Sequence, residues 1–187
     1  MSERVERSVE VLRSLGIDLD SGLSELELVT VERTYGFEFS PDHREFLSLV
    51  QPLGKGWWNW RTDSAETLRE RLEWPIDGVL FDVENNGFWP EEWGAIPADL
   101  TQARTVARSH IERWPKLVPL WGHRFMPAAP AGVGAPVFSV WQTDVIFYGD
   151  DLLDYVHHEF SPGDGWSSKG SDFDVDTLRP WTIFAMG

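Results

Sequence analysis

Residues 78–94 read GVLFDVENNGFWPEEWG, and they stand where a helix-patterned first half of the chain gives way to a strand-patterned second half. The stretch holds four carboxylates (Asp82, Glu84, Glu91, Glu92), four aromatics (Phe81, Phe88, Trp89, Trp93) and no basic residue. Its opening run, 78–83, reads as β-rich. The Trp74-Pro75 pair ahead of it is expected to end a helix, because proline lacks an amide N–H and disfavours helical backbone in the residue before it. On a strand, Asp82 and Glu84 project from one face roughly 7 Å apart, and the acids and indoles beyond them form an edge open to a basic partner.

Toward the N-terminus the pattern is helical. Val5, Val9, Leu12 and Leu15 fall at helical spacing and stop at Gly16. A second helix starts at Ser24, where Ser24 and Glu27 have capping-box spacing, and runs to Gly36; a third starts at Ser40-Pro41 and ends at Pro52 and Gly54. Asp63 or Ser64 caps a short helix through Leu68 and Leu72. On the other side of the central stretch, Leu100, Ala103, Ala107, His110, Ile111 and Trp114 form an apolar stripe. Strands are expected at 117–121, 136–148 and 181–184, a helix at 151–160, and a mobile loop at 161–176, opening SPGDGWSSKGSD. Helices first and then mostly strands, without regular alternation, predict one α+β domain, 24–187, with a helical lead at 1–23.

Composition narrows the function classes. Thirty-one acids against sixteen Lys and Arg give a net charge of −15, and thirteen of those charges come from the segments 77–99 and 150–176. Phosphate binding needs the opposite sign, so nucleic acid is a poor partner and a basic protein a good one. Cysteine is absent, the first residues alternate charged with apolar, and no window approaches a membrane span, which together predict a cytoplasmic protein. Eleven tryptophans, each worth at most about 4 to 6 kcal/mol when packed, are expected mostly in the core.

Catalytic and metal chemistry find little footing. Asp82, Glu84, Asn86 and Gly87 match the first positions of a calcium loop, but the closing position is Trp93, which has no carboxylate. Asp172, Asp174 and Asp176 repeat the spacing with less support. The Asp82 and Glu84 spacing also suits paired glycosidase carboxylates, although two acids two residues apart recur by chance. His157 and His158 are adjacent and cannot share a helix face, and His110 sits on an apolar stripe. His123 beside Arg124, after Trp121-Gly122, is the histidine placed to face a cleft. No cofactor and no metal is expected.

The run LSELELVTVERTYGFEFSPDHREFL at 23–47 resembles the opening of the SUKH superfamily, in which a helix ends near a glycine, an apolar pair follows and a proline starts the next helix. GWWNWR (56–61), the central stretch, PLWGHRF (119–125) and PVFSVWQTDVIFYGDDLLDYVHHEF (136–160) are similar to one actinobacterial and bacillary branch of it. The chain departs from many members at Gln51-Pro52-Leu53-Gly54, where they carry an Asn-Gly pair. The resemblance implies one α+β domain with helices on a twisted, mainly antiparallel sheet and a ligand-accepting face. It also implies a non-enzymatic immunity protein that neutralises a toxin of a bacterial contact system; other members, similar to a yeast cell-wall regulator, are interaction hubs.

These lines converge on a monomeric protein-binding module whose basic partner is a toxin domain such as a nuclease. Asp82, Glu84, Asn86, Trp89, Glu91, Glu92, Trp93, His123 and Arg124 are the expected contact residues. The alternatives are a housekeeping adaptor of the same fold, or a hydrolase built on Asp82, Glu84 and His123.

Overall fold

The computed structural model describes residues 2–185. Helix α1 (Glu3–Ser14) carries Glu3 and Glu6 in its first turn and Arg13 in its last, matching the helix dipole, and sinks Val5, Val9 and Leu12 into the interior. A short strand β1 (Leu19–Ser21) pairs antiparallel with β2 (Val50–Pro52), and between them lie α2 (Glu25–Tyr35) and α3 (Pro41–Leu49). The capping box at Ser24 and Glu27 forms in full, and α2 ends on Gly36 in the left-handed region at φ 67°. The N-terminal helix packs against α3 and against α6 (Leu152–Phe160), so it is part of the domain's interior contacts.

Four strands form an antiparallel meander in chain order: β3 (Leu117–Trp121), β4 (Arg124–Pro127), β5 (Val137–Trp141) and β6 (Asp144–Gly149). Side chains alternate across it, as strand geometry requires. Val118, Leu120, Met126 and Val137 join one apolar cluster with α1, α2, α3 and α6. Leu117, Phe125, Phe138, Val140 and Val145 join a second with α5 (Leu100–Ile111), Trp93 and Trp181. Both faces of the sheet are therefore covered, which explains why its strands read as continuous apolar runs. The architecture is a single α+β domain, with seven helices and antiparallel sheets among the described residues.

Three expectations are overturned. Residues 78–83 are helical, not β: they belong to α4 (Ala65–Asn85), which passes through Pro75 without ending. Leu68, Pro75, Val79 and Val83 are buried along one helical stripe, and that burial outweighs the hydrogen bond proline removes. Gly78 is part of the same solution, since a Cβ there would come within 2.8 Å of the Gln142 Cα in the β5–β6 turn. The expected last strand at 181–184 is a short helix, α7 (Trp181–Ala185). Strand β4 lies between the expected strands 117–121 and 136–148, where no element is expected, because four residues carry too little periodicity to declare a strand alone.

Trp60, Trp93 and Trp181 are buried, most other indoles pack at the cluster margins, and Trp141 is exposed. The 161–176 segment has no regular element before a 3-10 turn at Val175–Leu178. It is tied down where Trp166 stacks on His157 and donates to Asp154, and where Ser171 donates to the Gly134 carbonyl. No helix among the described residues is long and apolar enough to cross a membrane.

Candidate functional site

The change from strand to helix redistributes the central acidic residues. Asp82 and Glu84 are two positions apart on α4, so they leave the helix about 200° apart. Asp82 is 3% exposed and faces the β5–β6 turn. Its Oδ2 accepts from the Thr143 amide at 2.8 Å and hydroxyl at 2.6 Å, and its Oδ1 accepts from Asn86. It clamps the hairpin to the helix and does not belong to a docking surface. Glu84 turns to α5 and pairs with Arg104, while Glu73 and Asp77 pair with Arg108 at 2.9 and 3.1 Å. The chain's own arginines thus neutralise the α4 part of the acidic run.

Trp93, expected as an anchor for a partner, is an internal one. It is 7% exposed, stacks on His110 at 5.3 Å, and meets Phe88, Trp89 and Trp114. Trp89 is half-buried and donates through Nε1 to the Gly94 carbonyl at 2.8 Å. These contacts fix the 3-10 turn Glu91–Trp93, whose amides close onto Pro90 and Glu91. Glu91 and Glu92 are exposed on its outer side, and neither side chain has a hydrogen bond or ion pair among the described residues. Beyond the turn, Ile96 is 64% and Leu100 56% exposed. Sequence reasoning missed both. Leu100 fits the apolar stripe of α5 and so reads as core, but it sits at the helix start, before the stripe meets the sheet.

His123 lies on the β3–β4 turn and Arg124 opens β4. Arg124 is 7% exposed, pairs with Glu159 at 3.1 Å, donates to Ser139 Oγ at 2.9 Å and lies 3.7 Å from the Tyr148 ring centroid. It is an internal ion pair, which corrects its expected place at a partner surface. His123 contacts Arg124 and stands edge-on to Trp141. Burial first, then the Arg124 charge, hold its pKa below the usual imidazole value, so it is neutral near pH 7. No hydrogen bond or ion pair among the described residues joins His123 to Asp82 or Glu84, and Asp82 has both oxygens committed.

Of the nine expected contact residues, Asn86, Glu91 and Glu92 are exposed, Glu84 and Trp89 are half-buried, and the two exposed glutamates carry the unpaired charge. This is a rigid acidic knuckle beside two exposed aliphatic side chains. No protein-family model, curated protein or solved structure matches the chain.

Proposed function

We propose that this chain is a non-enzymatic protein-binding module of the toxin-immunity kind that the SUKH resemblance implies. Its occupant is a basic toxin domain, a nuclease, whose active site it covers. One observation carries this reading: Glu91 and Glu92 are exposed and unpaired on a turn whose underside is locked by buried Trp93, next to exposed Ile96 and Leu100. Apolar area flanked by unpaired charge supports both burial and steering on association. A turn already held in place loses little freedom on binding, which favours affinity. The net charge of −15 adds a long-range field that draws in a cationic partner and repels nucleic acid.

The test is co-expression with the product of the gene adjacent to its own, followed by size-exclusion chromatography at low ionic strength. Co-elution of the chain with a basic toxin domain, with loss of the toxin's nuclease activity in the complex, supports the immunity reading. Absence of a toxin gene from the neighbourhood, with binding to some other basic protein, favours the adaptor instead.

A further inference from the structure

Arg71 of α4 has no anionic partner among the described residues, in a chain where acids outnumber Lys and Arg by almost two to one. Its guanidinium lies between two indoles, 4.3 Å from the Trp58 ring centroid and 4.5 Å from that of Trp74. Such a sandwich fixes a normally mobile side chain in one plane, with cation–π attraction in place of an ion pair. The Nε atom is buried and has no hydrogen-bond partner among the described residues. Burial lowers the pKa of the group, and no carboxylate acts to raise it. With Nε covered and the residue half-buried, the Nη edge is the polar part of the side chain left to meet solvent.

The surroundings extend this edge into a platform. Trp74 donates through Nε1 to the Val140 carbonyl at 3.2 Å, which holds its ring against the sheet. Trp141 stands edge-on to Trp74 at 5.4 Å and is 53% exposed, so one side of its ring is open to a partner. His123 stands edge-on to Trp141, and the Arg71 charge is among the causes that keep it neutral, so it does not compete as a cation.

We propose that Arg71, clamped by Trp58 and Trp74 and flanked by Trp141, is a docking point for a carboxylate on an acidic side chain of a protein partner. The planar fork offers two parallel N–H donors that match a carboxylate's two oxygens, and the indole walls exclude water from the pair. The charge sign argues for this occupant: the guanidinium is uncompensated, while the remainder of the molecule repels polyanions. This contact is separate from the knuckle at Glu91 and Glu92 and opposite to it in sign. A partner engaging both would present a basic patch to one and an acidic residue to the other, which fixes its orientation.

The experiment uses the full chain and benzoate, which carries a carboxylate on an aromatic ring. Arginine Nε–Hε and indole Nε1–Hε1 NMR signals are followed during titration, with benzamide as the neutral isostere and inorganic phosphate at matched ionic strength. The expected result is a saturable shift of the Arg71 and Trp74 signals with a Kd on the order of 10 mM. Benzamide and phosphate should leave those signals in place. Arg71→Gln and Arg71→Lys should each weaken benzoate binding at least about tenfold, which the Lys variant does because it keeps charge but loses the fork. Both variants are compared only after their melting temperatures show them folded, and Trp141→Ala supplies a second variant that leaves the sandwich intact and should also weaken binding. Equal shifts with benzamide, equal shifts with phosphate, or unsaturated shifts at about 100 mM benzoate would overturn the proposal.

Discussion

Acidification should expose a weakness in the core at His43. This residue is 1% exposed, stands edge-on to Phe39 at 4.9 Å, and has neither ring nitrogen hydrogen-bonded among the described residues. Burial therefore depresses its pKa to about 3. An unfolded histidine titrates near 6.5, so between those values the unfolded chain binds a proton that the folded chain refuses. Stability from this group is complete above pH ~6.5 and drains away as the pH falls toward ~3. At about 1.4 kcal/mol per pH unit, lowering the pH from 7.5 to 4.5 spans two effective units and costs about 3 kcal/mol, an upper value for a single site. Asp42 works the other way: burial raises its pKa, so acidification relieves it. Urea denaturation of the wild type and His43→Leu across this range isolates the histidine, because Asp42 and the other carboxylates titrate in both proteins. The stability difference, wild type minus variant, should fall by about 3 kcal/mol between pH 7.5 and 4.5. Parallel curves would refute the reasoning and show that His43 finds a proton-sharing partner in the fold.

Two further substitutions probe the α4 junction. Gly78→Ala should destabilise by about 1–2 kcal/mol, although alanine is the better helix former, since its Cβ meets the Gln142 backbone; a raised urea midpoint would contradict the close approach. Asp82→Ala strands the Thr143 amide and hydroxyl, and should cost about 3 kcal/mol by denaturation while leaving association with a basic partner unchanged. A shift of less than about 0.5 kcal/mol would mean that the hairpin does not depend on that clamp.

Signals confined to a few neighbouring residues were legible in the sequence. The Ser24 and Glu27 box, the Ser40-Pro41 start and the Ser64 cap of α4 each act over one helical turn, and all three mark helix starts in the structure. The run 117–121 coincides with β3, because turn residues bound an apolar segment of strand length. What escaped was settled at long range. Pro75 breaks a helix as a local rule, yet α4 is held by packing of Val79, Leu80 and Val83 in the second cluster. Asp82 bears the same charge whether free or clamped, and its Thr143 partner is sixty-one residues away. The acid-rich composition near residues 82–93 was readable, but which acids stay unpaired depended on Arg104 of α5 meeting Glu84 and on Thr143 meeting Asp82. Arg71 drew no notice in the sequence, since only the fold sets Trp58 and Trp74 on either side of it.

The docking surface is tested most directly by the association rate of the chain with its basic partner, measured for the wild type and for Glu91→Lys/Glu92→Lys at two salt concentrations. Steering by this knuckle requires the double variant to associate at least about tenfold more slowly at low salt, with the gap closing as salt rises. Its melting temperature should stay within about 2 °C, because both side chains are exposed and unpaired. An unchanged rate in a folded variant would contradict the claim that the partner lands on this turn.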